Sequence, residues 1–162
     1  MKKILITGAS GFIGTNLSRF FLTKGFSIVG IGTSERHPFS EQFQEFEWIS
    51  ADTTKEGDWQ KKIPQADVII NVTGKSIFHY WTKKYKQAIY DSRILTTRNL
   101  VTAMESATAQ ILLNTSAVGI YGDGKETTLT ETSPSGTGFL SQVCVDWEAE
   151  ALKAMAKGAR VN

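Results

Sequence analysis

The sequence predicts an α/β protein with a doubly wound parallel sheet, which helices cover on both faces. Short runs rich in Ile, Val and Leu alternate along the chain with longer segments of helical period, as βαβ units do. Most of these runs are continuously apolar, as strands buried on both faces require. A cluster of glycines directly after the first run adds a third indication.

Five apolar runs are the predicted strands. They are bounded by glycine or polar residues, and they occupy residues 3–7, 27–31, 46–49, 68–72 and 111–115. The last four residues, 159–162, resemble the beginning of one more strand. We therefore expect the sheet, and with it a single domain over residues 1–162, to be incomplete at its carboxyl end.

Helical period predicts the segments between the strands. The first helix is expected over residues 12–24, with Gly25 as its C-cap. Short helices are expected within residues 40–45 and around 55–62, and a last helix over residues 139–157. One side of the first helix should be apolar. It contains the residues at helical spacing, namely Phe12, Ile13, Leu17, Phe20 and Phe21.

The longest helix is predicted over residues 81–106. One face contains residues spaced by three and four positions, namely Trp81, Tyr85, Ala88, Ser92 and Leu95. That spacing is typical of a helix packed on its own sheet, which we favour. It equally suits a helix shared between two copies of the chain, so a homodimer is the alternative.

Composition narrows the range of functions. The net charge of +2 comes from scattered Lys and Arg residues, so we expect neither nucleic acid nor a membrane surface as a partner. The single cysteine, Cys144, excludes an internal disulfide and a cysteine-based zinc site, and no metal site is predicted. No run of apolar residues is long enough to span a bilayer. These features indicate a cytoplasmic protein.

The glycine cluster predicts a dinucleotide site. Gly8, Gly11 and Gly14 lie between the first predicted strand and the first predicted helix, which is the context that the fingerprint of a Rossmann fold requires. Gly8 would permit a tight turn, Gly11 would let the backbone approach a pyrophosphate, and Gly14 would let helix and strand pack closely. Ser10, Phe12 and Ile13 complete the predicted phosphate-binding turn, because N–H groups at a helix start bind anions.

Beyond the glycines, the chain resembles epimerase-like members of the short-chain dehydrogenase/reductase superfamily. The resemblance extends over nearly the whole chain. It is carried by the segments 70–74, 81–82, 92–93 and 116–122, by Thr96 and Leu100, and by residues 138–140, 143–144 and 147–148.

The resemblance implies further cofactor-binding residues. Asp52 is similar to the acidic residue that faces the adenine amino group, although an Asp here equally suits a helix cap. Asn71, Val72, Thr73 and Gly74 are similar to the turn that lines the ribose and pyrophosphate. A buried strand end would explain Asn71 without any ligand.

The end of the second strand should select between NAD and NADP. An acidic residue there binds both ribose hydroxyls, whereas an Arg accommodates a 2′-phosphate. Thr33, Ser34 and Arg36 are suited to hold a phosphate, and Glu35 argues against one. We expect NADP in preference to NAD, with a solvated loop of mixed charge as the alternative.

The resemblance leaves catalysis open. Catalytic members use a Ser after the fifth strand, here Ser116, and a Tyr followed four residues later by Lys. In this sequence Gln142 and Asp146 fall at the expected Tyr and Lys positions. Neither replaces its counterpart, because Gln does not titrate and a carboxylate raises a neighbouring phenol's pKa.

Three hypotheses follow. The first is the dinucleotide-binding part of an epimerase, dehydratase or oxidoreductase whose substrate domain lies outside this sequence. The second is a non-catalytic dinucleotide sensor or interaction module. The third is an inactive fragment. The substrate itself is not predicted.

Overall fold

The computed structural model describes residues 2–106 and 109–162. Its strands are β1 (Lys3–Thr7), β2 (Ser27–Gly32), β3 (Phe46–Ser50), β4 (Val68–Asn71), β5 (Ile111–Asn114) and β6 (Arg160–Val161). Its α-helices are α1 (Phe12–Thr23), α2 (Phe39–Gln42), α3 (Lys83–Ala103) and α4 (Phe139–Leu152), and 3₁₀ helices cover Asp58–Gln65, Val118–Tyr121 and Lys153–Lys157.

The six strands form one parallel sheet in the order β3-β2-β1-β4-β5-β6. The strand order reverses between β1 and β4, and this reversal defines the switch point of a doubly wound fold. The predicted fold class is therefore confirmed. The predicted strand at residues 159–162 is confirmed too, since β6 pairs with β5 through Arg160 and Val161.

Helix α1 begins at Phe12 and ends at Thr23, with Gly25 in the left-handed region at φ 80°. The apolar face predicted for it is wrong at three positions. Phe12, Ile13 and Phe20 are more than half exposed, whereas the helix buries Gly14, Ser18 and Leu22. Leu17 and Phe21 do pack against the core, but the start of α1 approaches the turn after β1 too closely at Gly14 to hold a bulky side chain beneath it.

Helix α3 begins two residues later than predicted. The side chain of Thr82 accepts a hydrogen bond from the Tyr85 N–H and so caps its N-terminus. The core-facing residues are Ile89, Ile94, Thr96, Thr97, Leu100 and Val101. The predicted stripe lies beside this face and is partly buried, while α3 packs on its own sheet through Leu100 and Val101. The helix also ends earlier than the predicted Ser106, since α3 ends at Ala103.

The final predicted helix is α-helical to Leu152 and continues as a 3₁₀ turn to Lys157. Gly158 ends it in the left-handed conformation at φ 85°. The short segment predicted around residues 55–62 is a 3₁₀ helix that contains Pro64, because proline has no N–H to continue an α-helix. Among the described residues, no helix is long and apolar enough to cross a membrane.

The sheet divides the core into two layers. One layer packs Leu5, Ile69 and Leu112 against α3, α4 and the 3₁₀ helix that holds Trp59 and Ile63. The other packs Ile4, Ile6 and Ile28 against α1 and the aromatic residues around α2. Because consecutive strand residues point to opposite faces, the continuous apolar runs supply both layers.

A buried amide joins the middle of the sheet at its carboxyl end. Asn71 is fully buried, and its Oδ1 accepts hydrogen bonds from Thr7 Oγ1 at 2.8 Å and from the Thr73 N–H at 3.2 Å. Its Nδ2 donates to Thr97 Oγ1 at 2.9 Å and to Asn114 Oδ1 at 2.7 Å. Every donor and acceptor site of the amide is therefore satisfied, and the side chain connects β1, β4, β5 and α3.

A buried histidine ties α2 to the turn after β1. His37 is 4% exposed and packs against the rings of Phe39, Phe46 and Trp48. Its Nδ1 accepts a hydrogen bond from the Phe39 N–H at 3.2 Å, and the ring also bonds to the Ala9 backbone. Burial lowers the pKa of His37, and the bond to Ala9 opposes that shift.

We predict that Asn71→Leu destabilises the fold by about 3 kcal/mol. The substitution leaves Thr7, Asn114 and the Thr73 N–H without their buried partner, and each unsatisfied group costs about 1–3 kcal/mol. Urea unfolding followed by circular dichroism measures the loss. Asn16→Leu on the exposed side of α1 is the control, and equal losses in the two variants would contradict the account.

We predict that acid weakens the fold through His37. Its folded pKa lies below its value of about 6.5 in the unfolded chain, so its stabilising contribution is fully present above that pH and is lost as the pH falls. The melting temperature of His37→Gln should therefore fall less than that of the wild type between about pH 7 and pH 5. His79→Gln, in an exposed loop, should keep the wild-type profile, and a His37→Gln profile identical to it would contradict the assignment.

Candidate functional site

A cleft of about 560 Å³ opens at the carboxyl ends of β1 to β4, at the switch point of the sheet. The turn after β1 contributes Gly8, Ser10 and Gly11. The end of β2 contributes Gly32, and Thr33 follows it. Residues 51–54 line it after β3 and residues 72–75 after β4, while α3 contributes Ala88, Asp91 and Ser92. Ligands of doubly wound sheets bind at this place.

The turn after β1 requires glycine at one position, and the start of α1 requires it at another. Gly8 has φ 74°, and a Cβ on it would lie 2.9 Å from the Thr73 nitrogen. A Cβ on Gly14 would collide with the Gly8 carbonyl and lie 2.6 Å from the Ala9 Cα. Gly8 therefore allows the turn to pack against the turn after β4, and Gly14 allows α1 to pack against the first turn. The positive φ of Gly8 also fits the tight turn predicted for it, whereas Gly14 brings α1 against the turn and not, as predicted, against the strand.

The start of α1 faces the cleft without a cap. Gly11 is its N-cap residue, no side chain caps the helix, and its first turn has no acidic residue. The first N–H groups of an α-helix have no partner within the helix. Here they belong to Phe12, Ile13 and Gly14, next to the cleft residue Gly11. This end of the helix therefore offers donors and the positive end of a dipole to an anion.

The turn after β4 is held by hydrogen bonds to its backbone. Asn71 accepts from the Thr73 N–H, and Ser92 Oγ accepts from the Lys75 N–H at 2.9 Å. Thr73 Oγ1 is buried and has no hydrogen-bond partner among the described residues. A hydroxyl in that position is available to a ligand that enters the cleft.

Seven of the predicted cofactor-binding residues line the cleft. They are Gly8, Ser10, Gly11, Asp52, Val72, Thr73 and Gly74. Asp52 also closes a local turn, since its Oδ1 accepts from the Thr54 N–H and hydroxyl at 3.1 and 2.6 Å. These bonds form a local turn and not a helix cap, because the next helix begins at Asp58 with Gly57 as its N-cap, so the helix-cap alternative is wrong.

The other predicted cofactor-binding residues lie around the cleft. Gly14 and Asn71 are buried beneath it, and Phe12 and Ile13 are exposed at the start of α1. Ser34 and Arg36 are exposed in the loop that follows the cleft residue Thr33. The Trp48 Nε1–H donates to the Ser34 carbonyl at 3.1 Å and so fixes that loop against β3.

The sequence analysis missed the residues that α3 contributes. Ala88, Asp91 and Ser92 fall at helical spacing with small or polar side chains, which indicates a helix face that approaches another group closely. Thr53, Thr54 and Lys75 were missed as well. Their position just beyond two predicted strands was the available signal, because strand ends of a parallel sheet share one edge.

Ser116 lies after β5, beside a smaller cavity of about 230 Å³. Its hydroxyl donates to Glu148 Oε1 on α4 at 2.5 Å. Cys144, one turn earlier on α4, is buried, and burial raises the pKa of its thiol while the nearby Arg93 cation opposes the shift. The backbone of Ala117 also bonds to that sulfur.

Gln142 and Asp146 do not lie beside Ser116, where a catalytic Tyr and Lys would lie, so the structure corrects that comparison. Gln142 Nε2 donates to Asp146 Oδ1 at 2.8 Å, and the Tyr90 hydroxyl of α3 donates to Asp146 Oδ2 at 2.9 Å. Gln142 and Asp146 therefore face α3. The residues of α4 that face the end of β5 are Cys144 and Glu148, because successive helix positions rotate by about 100°.

Several known proteins are similar to this chain. Epimerase family protein Mb2239 of Mycobacterium bovis is 34% identical over 160 residues, which are 98% of this chain and 50% of that protein. Epimerase family protein YfhF of Bacillus subtilis is 35% identical over 160 residues, 97% of this chain and 52% of that protein. The chain thus spans about half the length of these relatives.

Solved structures share the fold. UDP-glucuronic acid 4-epimerase from Bacillus cereus in complex with NAD superposes with a TM-score of 0.81 at 22% identity, over 98% of this chain and 54% of that chain. Human epimerase family protein SDR39U1 with NADPH superposes with a TM-score of 0.70 at 22% identity, over 92% of this chain and 48% of that chain.

The resemblance found in the motifs is confirmed along the length of the chain. The sequence model of the NAD dependent epimerase/dehydratase family matches residues 4–161, from the first strand to the last. The match includes the glycine turn, the turn after β4 and the Ser116 segment, which the fold brings to one edge of the sheet. The chain belongs to the NAD dependent epimerase/dehydratase family.

Proposed function

We propose that residues 1–162 form a domain that binds a nicotinamide dinucleotide in the cleft between β1 and β4. The observation that carries the proposal is the pairing of that cleft with an uncapped α1, whose approach depends on Gly8 and Gly14. Family membership and the solved relatives that hold NAD or NADPH support it.

The chemistry of the cleft fits the parts of a dinucleotide. The pyrophosphate would bind at the start of α1, where the residues from Gly8 to Ile13 supply backbone donors and Ser10 a hydroxyl. The adenine would lie near Asp52 and the polar residues after it, which line the cleft beyond β3. Thr73, whose hydroxyl lacks a partner among the described residues, would donate to the bound group.

We propose NADP as the preferred dinucleotide. The strand β2 ends in Gly32, and Thr33 enters the cleft where an NAD-binding protein often has an acidic residue. Ser34 and Arg36 are exposed in the same loop, so they are available to a 2′-phosphate. The human relative with NADPH agrees with this choice, although the Bacillus cereus enzyme holds NAD.

The activity of the whole protein is a proposal that rests on Ser116. When bound, the nicotinamide ring would supply a hydride acceptor or donor for an epimerase or oxidoreductase reaction. Ser116 Oγ would accept a hydrogen bond from the reacting hydroxyl of the substrate, since its own proton is donated to Glu148. The substrate domain would come from outside these residues, since the chain spans half of its relatives.

One observation favours a second function. Cys144 and Glu148 occupy the side of α4 that faces Ser116, so no Tyr or Lys from α4 is present there. A protein with this site could bind the dinucleotide without turnover, as a sensor or an interaction module.

A homodimer and a cytoplasmic location stay predictions from the sequence.

We predict that Gly8→Ala abolishes dinucleotide binding while Gly25→Ala preserves it. Both residues have positive φ, of 74° and 80°, so the backbone conformation alone costs both variants about 1–2 kcal/mol of stability. Only Gly8 has backbone neighbours that its new Cβ would meet, because nothing lies within 4 Å of a Cβ on Gly25. Titration calorimetry with NADPH measures the difference, and equal affinities in the two variants would refute the placement of the pyrophosphate.

We predict that Arg36→Ala lowers the affinity for NADPH by roughly tenfold without changing the affinity for NADH, because it removes a charged bond to the 2′-phosphate. Glu35→Gln should change the ratio in the opposite direction, since it removes a negative charge next to the same site. Both affinities come from the same calorimetric titrations. If Arg36→Ala weakens the two dinucleotides equally, the loop does not select between them.

A further inference from the structure

A partly buried cation lies between the turn after β4 and helix α4. This cation is Arg93 on α3, and burial lowers the pKa of its guanidinium. Its Nη1 donates to the carbonyls of Lys75 and Ile89 at 3.2 and 3.1 Å. Its guanidinium carbon also lies 5.3 Å from the centre of the Trp147 ring. The side chain is therefore held in one position.

No carboxylate among the described residues forms an ion pair with Arg93. The Nη2 and Nε groups also have no acceptor in that part of the chain. Arg98, five residues further along α3, is different, because Glu150 accepts from it at 2.6 Å. Arg93 therefore has charge and N–H donors that remain for a ligand, and removing a charge from water without a counter-charge is costly.

Gly74 makes room for this cation at the edge of the cleft. A Cβ on Gly74 would lie 2.9 Å from Arg93 Nη2, so the guanidinium lies directly against the turn after β4. That turn lines the dinucleotide cleft through residues 72–75. On the other side, Arg93 is close enough to Cys144 to influence its thiol.

The position of Arg93 assigns it to one half of the dinucleotide. In a doubly wound sheet each half of the fold carries one mononucleotide, and the two meet at the switch point between β1 and β4. Arg93 lies on the β4–β5 half, between the turn after β4 and α4. This half would hold the nicotinamide mononucleotide, whereas the adenylate would lie over β1 to β3.

We propose that Arg93 binds the ribose-phosphate group of the nicotinamide half of the dinucleotide. The inference rests on the proposed function and extends it, since Arg93 was not among the predicted site residues. Hydroxyl and phosphate oxygens of that group would accept the hydrogen bonds that Nη2 and Nε do not make within the described residues. Arg93 of α3 would then be the cation beside the nicotinamide ribose, because α4 provides no Lys there.

The test compares Arg93→Gln with the wild type against three ligands in calorimetric titrations. NADPH contains the whole dinucleotide, 2′-phospho-ADP-ribose lacks only the nicotinamide ring, and 2′,5′-ADP lacks the second ribose and its phosphate. We expect Arg93→Gln to weaken the first two by roughly tenfold and to bind 2′,5′-ADP as the wild type does. If the wild type prefers NADH, the matching ligands are ADP-ribose and AMP.

Controls separate a local effect from a loss of the fold. Unchanged binding of 2′,5′-ADP shows that the variant is folded, and Arg93→Lys should recover part of the lost affinity because it keeps the charge. Arg98→Gln is the matched variant on the same helix and should change no affinity.

Two results would overturn the inference. Equal affinity of Arg93→Gln and the wild type for NADPH would remove Arg93 from the site, as would an equal loss for all three ligands. A folded wild type that binds none of them would instead refute the proposed function, and this inference with it.

Discussion

The hydrogen bonds of Asn71 are the constraint on which the cleft depends. One amide at the end of β4 satisfies groups from β1, β5 and α3, and it also accepts from the N–H that begins the turn after β4. Thr97 continues the network, since Trp147 Nε1 donates to its hydroxyl at 2.8 Å. Because a buried polar network is costly unless it is complete, the strand ends on both sides of the switch point are fixed relative to one another.

That fixed frame explains the demands on glycine. The turn after β1 packs against the turn after β4 with only the space that Gly8 leaves, and α1 lies over the first turn only because Gly14 has no Cβ. Close packing of this kind turns the start of α1 toward the cleft and leaves Phe12 exposed beside it. Packing and binding thus impose the same residue type at the same positions, which is why the fingerprint is readable in a sequence.

The fold could be predicted because its signals are local. Continuous apolar runs indicate strands buried on both faces, and Gly25 and Gly158 indicate where helices end. The exposure of Phe12 and Ile13 could not be predicted from period alone, because the close approach at Gly14 leaves no room for them beneath the start of α1. Burial of a side chain at the start of α1 depends on the distance between the helix and the neighbouring turn. The periodicity of the helix alone gives no information about that distance.

Site residues that lie close to the end of a strand could be predicted, and those on a helix could not. Gly8, Asp52 and Thr73 follow strands directly and line the cleft. Asp91 and Arg93 belong to a helix whose rotation about its axis is set by tertiary packing. The sequence analysis did not select Asp91, and it named Arg93 only as part of the family resemblance, with no binding role. The same limit explains the error at Gln142 and Asp146, because two residues of displacement along α4 turn a side chain from Ser116 toward Tyr90.

The most direct test of the central claim is to map the dinucleotide on the chain by NMR. A ¹⁵N-labelled sample is titrated with NADPH, and the shifts of the assigned backbone amides are followed. The account predicts that the largest shifts occur in the turn after β1, the loop after β2, residues 51–54 and residues 72–75, which together surround the cleft. A well-folded sample in which NADPH shifts none of these amides, or shifts a different surface, would contradict it.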